Sequence, residues 1–254
     1  MKIIEVPGGI VVHGAFPDQE VLTFIAERAG PLPLIIADPP YGNILPEGWD
    51  QTDSDDKTFA EWMISWTYAC EGLSLPGAAL YVWGGIGTPS FRPFYRYLIE
   101  VERRTKYQMS SHITWAKKRA YGIQWGYLFC REELGYFVLG DIREPRLFNV
   151  PLLEKKRGYE GYDKKHPAKS EFLRRTNVWM DITEMLRGKK NKAQKPEKLH
   201  EIMIEVHTKP GEWVLDCFAG SGTTGRAARK LGRKFILVEK DKTELETCLS
   251  LLGA

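Results

Sequence analysis

Two short stretches of this 254-residue chain hold residue types that do chemistry together. The first, Asp38-Pro39-Pro40-Tyr41-Gly42, directly follows the apolar run Leu34-Ile35-Ile36-Ala37. Such a run predicts a strand buried on both faces, as in a parallel sheet. Open α/β sheets bind ligands beyond the carboxyl ends of their strands. The two prolines fix φ and carry no N–H, which leaves backbone carbonyls free to accept. An acid, rigid carbonyls and an aromatic ring suit a planar ligand bearing an NH₂ group. Asp38 and a carbonyl would accept from the amine, and Tyr41 would stack on the ring. A proline turn with an incidental Asp is the plainer reading of the same residues.

The second stretch runs from Val214 to Asp241. A predicted strand enters Asp216, Gly220-Ser221-Gly222 follows, and then a helix. The glycines let a ligand approach the backbone, and the helix start offers free N–H groups. Glu239 lies 23 residues after Asp216, at the end of the next predicted strand. An acid there accepts hydrogen bonds from the hydroxyls of a ribose. The opening of the loop differs from the dinucleotide fingerprint, although Gly225 follows Gly222, and no Gly-Lys-Ser/Thr of a P-loop occurs. Without a pyrophosphate pattern, a nucleoside such as S-adenosylmethionine is favoured.

Asp-Pro-Pro-Tyr ahead of Asp-x-Phe-x-Gly-Ser-Gly-Thr-Thr resembles the S-adenosylmethionine-dependent DNA amino-methyltransferases, which modify adenine N6 or cytosine N4. The order of the motifs is that of the family's permuted beta group. Gln194-Lys195-Pro196-Glu197-Lys198-Leu199 extends the similarity, which covers residues 34–50 and 192–241, with a looser fit over 78–140. The resemblance implies a Rossmann-like α/β three-layer sandwich with a mostly parallel, circularly permuted sheet. It implies a catalytic motif of Asp38, Pro39, Pro40 and Tyr41, in which Asp38 and the Pro39 carbonyl hold the target amine and Tyr41 stacks on a flipped base. Asp216, Phe218, Ala219, Gly220, Ser221, Gly222 and Thr223 would form the methionine and ribose side of the cofactor pocket. Glu239 would bind the ribose hydroxyls, and Lys195 and Pro196 would line the methionine end. Gly14-Ala15 departs from the family's Gly-Asp, and Asp18 is a candidate replacement.

The implied chemistry is direct methyl transfer to an exocyclic amine of a base flipped out of the duplex. Positioning supplies much of the catalysis, because the sulfonium is already a reactive donor. Methylation of cytosine carbon needs a Cys nucleophile, usually after Pro, and the chain has no Pro-Cys. Asp rather than Ser at the head of the motif leans toward adenine N6. The rival readings are N4-cytosine methylation, RNA or protein amide methylation, and a non-catalytic nucleic-acid-binding module. Intact Asp38 and Tyr41 with a complete cofactor loop argue against the last.

Alternating elements must position these residues. Strands are predicted at Ile10–His13, 34–37, Ala78–Trp83, Ser111–Trp115, Tyr136–Leu139, Leu147–Val150, Val214–Phe218 and Phe235–Val238, with a further candidate over 178–181. Helices are predicted at Val21–Arg28, from Phe59 to Leu73 and closed by Pro76-Gly77, around 91–98, at Pro196–His207, at Thr223–Leu231, and at the end of the chain to about Leu252. The stripe Phe59, Trp62, Met63, Trp66, Ala69, Cys70, Leu73 follows helical spacing and predicts a face packed on the sheet. This alternation predicts a mostly parallel sheet covered on both sides.

Composition fits one globular domain over 1–254, at 43% hydrophobic and 27% charged. Net charge is only +3 but unevenly spread. Residues 1–101 balance at −8, residues 102–200 at +11, and the remainder at zero. The basic middle third predicts a polyanionic partner, double-stranded DNA, with a target-recognition insertion at about 141–193. Lys155, Lys156, Arg157, Arg174 and Arg175 are its candidate DNA-binding residues. The four Cys form no C-x-x-C pair, and H-E-x-x-H fails at Ile204, so no metal site is expected. Reduced buried thiols, no signal peptide at the N-terminus and no run of 18 apolar residues predict a cytoplasmic protein away from membranes. A homodimer and a cognate restriction endonuclease are compatible with this reading; the sequence assigns neither.

Overall fold

A computed structural model describes the chain except for residues 43–49, 51–53, 86, 88–90, 123–124, 157–160, 164–165, 168–169 and 184–193. Among the described residues nine strands form one sheet. In chain order its members are β1 (Lys2–Val6), β2 (Gly9–His13), β3 (Leu32–Ala37), β4 (Ser74–Gly84), β5 (Tyr107–Tyr121), β6 (Phe129–Leu139), β11 (Val178–Trp179), β12 (Trp213–Asp216) and β13 (Lys234–Glu239). Their spatial order is β1-β2-β13-β12-β3-β4-β6-β5-β11. The neighbours from β2 through β4 all run parallel. β6 enters antiparallel between β4 and β5, and β1 pairs antiparallel with β2. β3, the all-apolar Leu32–Ala37, is buried at every position, as a central parallel strand must be.

Among the described residues six helices cover the two faces. On one side lie α1 (Gln19–Ala29), α2 (Asp56–Leu73) and α3 (Pro93–Arg104). They pack Val21, Ile25, Met63, Trp66, Cys70, Tyr97 and Val101 onto Ile10, Ile35, Leu215 and Ile236. On the other side lie α4 (Glu197–His207), α5 (Thr223–Lys230) and α6 (Lys242–Leu252). These set Leu199, Met203, Ala227, Ala228, Leu245 and Cys248 against Leu34, Ile36, Val214 and Leu237. Alternate residues of β3 and β12 thus point into opposite cores, and the three layers follow from the period of two along each strand. The aromatic stripe of α2 faces the sheet, with Trp62 and Trp66 edge-on to Phe218 at 5.9 and 5.3 Å.

The order β13-β12-β3-β4 contains a switch point. From β12 the chain crosses through α5 to β13 on one side, whereas from β3 it crosses through α2 to β4 on the other. The two crossovers therefore diverge from between β12 and β3. They leave a crevice at those strands' carboxyl ends, where Asp216 and Asp38 lie.

Three local expectations are corrected. Leu147–Val150 is not a strand. Leu147 O accepts from His207 Nδ1 at 2.9 Å, and Asn149 donates to the carbonyls of Glu205 and Val206, so this segment closes the end of α4. Pro76-Gly77 does not close the preceding helix. α2 stops at Leu73, and Ser74 already opens β4. β5 and β6 are longer than their apolar cores, because hairpin pairing carries the polar stretches 116–121 and 129–133 into the ladder. In the basic stretch, β7 (Leu152–Lys156) pairs with β10 (Phe172–Arg174), β8 (Gly161–Asp163) pairs with β9 (His166–Pro167), and among the described residues only β11 joins the main sheet.

Candidate active site

The crevice opens into a cavity of about 880 Å³. Its wall includes Asp38, Pro39, Pro40 and Tyr41 after β3, Asp216 through Ser221 and Thr223 after β12, and Glu239 after β13. Two motifs some 180 residues apart in sequence thus meet because β3 and β12 are hydrogen-bonded neighbours, with Asp216 opposite Ile36.

On the β3 side the turn is held from below. The buried Asp50 accepts from the backbone N–H groups of Tyr41 at 2.7 Å and Gly42 at 2.9 Å. Gly85 abuts the tyrosine ring; a Cβ there would lie 2.8 Å from Tyr41 Cδ2. The Asp38 carboxylate is engaged on both oxygens. Oδ2 accepts from Lys195 Nζ at 2.5 Å, and Oδ1 lies 3.1 Å from the Tyr41 hydroxyl. That hydroxyl also lies 3.1 Å from Glu132 Oε2 and accepts from Lys195 at 3.0 Å. Glu132 in turn lies 3.3 Å from Lys195 and pairs with Lys117. Lys195 sits over the Trp83 ring at 4.9 Å and is almost wholly buried.

Two carboxylates and two ammonium groups balance within this cluster. Burial pushes Asp38 above the usual carboxylate range, with Lys195 pulling against it. Burial also acts upward on Glu132, but Lys195 and Lys117 outweigh it and hold that carboxyl at about 2. Burial alone would lower Lys195; the two acids raise it above the usual lysine value, so it stays charged. Buried ions survive when paired in this way. Glu132 and Asp50 are site residues that motif reading missed. Neither lies in a recognisable pattern, and Glu132 comes from β6, which only sheet pairing brings beside β3's turn.

On the β12 side the Asp216 carboxylate is occupied internally. Oδ1 accepts from Phe218 N at 3.0 Å and Oδ2 from the Thr224 hydroxyl, which itself lies 2.9 Å from His200 Nδ1. Burial pushes Asp216 up to about 7 and His200 down to about 3. Glu239 is oriented by two backbone donors, Gly220 N and Asp241 N, both at 2.7 Å. This pre-aimed carboxylate, with Gly220 facing open space, makes a cradle for a hydroxyl-bearing ligand.

The family model for N6/N4 DNA methylases matches residues 32–250. The chain belongs to this family. The type II methyltransferase M.BamHI of Bacillus amyloliquefaciens is 29% identical over 83% of the chain, which spans 50% of that relative's length. Type II methyltransferase M2.DpnII of Streptococcus pneumoniae is 26% identical, covering 87% of the chain and 82% of the relative. In fold, the methylase superimposes on PvuII DNA methyltransferase (cytosine-N4-specific) with a TM-score of 0.69 at 16% identity, covering 99% and 95% of the two chains. It superimposes on the M1.HpyAVI–SAM complex with a TM-score of 0.64 at 22% identity, covering 96% and 98%.

Not every residue expected at the site faces the cavity. Gly222 adopts φ +75° at the start of α5, and a Cβ there would meet Cys248 Sγ at 2.6 Å. This glycine serves the turn and the packing of α5 on α6 rather than making room for a ligand. Pro196 starts α4 and is not part of the cavity wall, whereas Lys195 lines it with its ammonium on the Asp38 side. Asp18 is exposed at the cavity rim, and Gly14 and Ala15 line it too. Of the candidate DNA-binding residues, Lys155, Lys156 and Arg174 are exposed, with Lys156 paired to Glu171 at 2.5 Å. Arg175 is corrected: its side chain is buried and forks onto Asp181 at 2.5 and 2.8 Å, over the Trp179 ring. Arg157 lies outside the described residues. Among the described residues no group of three His, Cys, Asp or Glu is placed to hold a metal ion, and no helix is long and apolar enough to cross a membrane.

Proposed function

We propose that the chain is a site-specific DNA methyltransferase that moves a methyl group from S-adenosylmethionine to the N6 amine of an adenine flipped out of the duplex. The observation that carries this reading is the meeting of Asp38 and Glu239 on the wall of one cavity, at the switch point of the sheet. The residues present fit the cofactor. Glu239 is aimed by backbone donors and retains lone pairs for ribose hydroxyls, a Cβ at Gly220 would meet nothing within 4 Å, and acidic side chains outnumber basic ones along the wall. An acidic wall suits a ligand that carries a sulfonium and an α-ammonium. When bound, S-adenosylmethionine supplies an electrophilic methyl group.

The chain's own residues do the rest. Asp38 and the Pro39 carbonyl accept from the target amine and turn its lone pair toward the methyl. As the N–C bond forms at the expense of the methyl–sulfur bond, whose electron pair stays with sulfur, the amine becomes more acidic and gives up a proton. The Asp38 carboxylate, made more basic by burial, receives it and passes it to solvent. Lys195 and Glu132 are positioning residues: they fix the Asp38 carboxylate and hold the cluster neutral without touching the base. Tyr41 stacks on the flipped base, its ring set beside Asp38. The motif's opening Asp favours adenine over cytosine in this reading. The stretch 141–193, with Lys155, Lys156 and Arg174 exposed, reads the duplex.

Radiolabelled methyl transfer to DNA, RNA and protein tests the reading, followed by digestion of the DNA to nucleosides and mass spectrometry. N6-methyladenine in DNA is expected. N4-methylcytosine would overturn the base assignment and keep the mechanism. 5-Methylcytosine, or label only in RNA or protein, would overturn both.

A further inference from the structure

We propose that the tip of the β5–β6 hairpin is a wedge that enters duplex DNA beside the target base and fills the gap it leaves. The inference rests on the reading of the site as a DNA base methyltransferase. At the tip, Trp125 is 88% exposed, Tyr127 96%, Leu128 62% and Phe129 48%. A cluster of large apolar side chains held out in water marks a binding surface rather than a packing accident.

Its place in the fold selects the partner. Phe129 begins β6 and lines the cavity that holds Asp38, and three residues further on Glu132 reaches the Asp38 cluster. One strand therefore carries its residues from the reacting carboxylate, through the cavity wall, to the exposed rings. Chain reach places the Cα atoms of Tyr127 and Trp125 within about 7 and 14 Å of Phe129. Lys117 and Arg131 line the cavity, paired to Glu132 and Glu133, and Lys118 and Arg119 are exposed on the facing strand. Apolar rings flanked by cations at a cavity mouth match a duplex with one base removed: phosphates outside, and bare base faces within the stack.

The test uses Trp125→Ala, Tyr127→Ala and the double variant of the full chain. Methylation is compared on a matched duplex, the same duplex with an abasic site opposite the target, and the single strand. The wedge predicts that kcat/KM on the matched duplex falls on the order of tenfold or more. Rates on the other two substrates, whose target base is already unpaired, should stay within about twofold, with unchanged S-adenosylmethionine affinity. Undiminished activity on the matched duplex, or equal loss on all three substrates, would overturn the wedge while leaving the proposed function standing. An unaltered chain that methylates none of the three would overturn the proposed function and the wedge with it.

Discussion

Asp38 is tuned by neighbours that pull in opposite directions, which makes its acidity a measurable property of the cluster. Burial and the Glu132 charge raise it, and Lys195 lowers it. The protonated acid cannot take up the proton that the target amine gives up, so kcat/KM should fall on the acid side as Asp38 is protonated. Removing the Glu132 charge in Glu132→Gln should move that acid limb to lower pH. Lys195→Met should move it to higher pH, and should also cost roughly 3–5 kcal/mol of stability by leaving buried carboxylates unpaired. A pH–rate profile of each variant checks both signs; shifts in the same direction would separate Asp38 from the limb. Asp38→Ala should abolish transfer while calorimetry with S-adenosylmethionine shows near-unchanged affinity, since the cofactor cradle lies on β12 and β13.

At the scale of elements, the two glycines of the loop after β12 separate architecture from ligand space. Gly222→Val places a β-branched residue at φ +75° against Cys248 and should lower the melting temperature of the ligand-free protein. Gly220→Ala meets no neighbour, and its φ of +48° costs only about 1–2 kcal/mol. Its added methyl projects into open space beside Glu239, so its main effect should be a weaker Kd for S-adenosylmethionine. Thermal denaturation with and without ligand distinguishes the two. The same loop shows what was legible beforehand. Val214–Asp216 and Leu34–Ala37 announce themselves as buried strands, and each ends on its acid, so the carboxyl-end geometry follows from local pattern. The direction of the Gly222 Cα–H depends on α6, some 20 residues later, and no spacing rule reports it. Glu132 was hidden for a related reason: its strand is antiparallel, and its role comes from register with β4 and nearness to Tyr41. Arg175 read as one more basic residue because charge runs do not reveal a buried fork onto Asp181.

Over the whole molecule, charge acts on both stability and DNA affinity. Burial raises the Asp216 carboxyl to about 7, so the folded state holds this proton more tightly than the unfolded chain, whose carboxyl titrates near about 4. The group's contribution is fully present below about pH 4 and is lost as pH rises through about 7. The melting temperature of the ligand-free protein relative to Asp216→Asn should therefore fall between pH 5 and pH 8. DNA affinity should weaken with salt at a log–log slope of about −0.9 per phosphate contact, and Lys155→Glu with Lys156→Glu should flatten that slope. Fluorescence titrations at several salt concentrations measure it. The strand order reaches further, into the birth of the protein on the ribosome. β2 and β3 leave the tunnel early and are joined by a single helix, yet the finished sheet holds them apart by β13 and β12. Three inter-strand spacings separate them, roughly 14 Å. Until Trp213–Glu239 have been made, both strands present bare backbone edges toward an empty slot, and pairing across it would be a misfold. The strands made last, β12 and β13, act as a keystone that closes this slot.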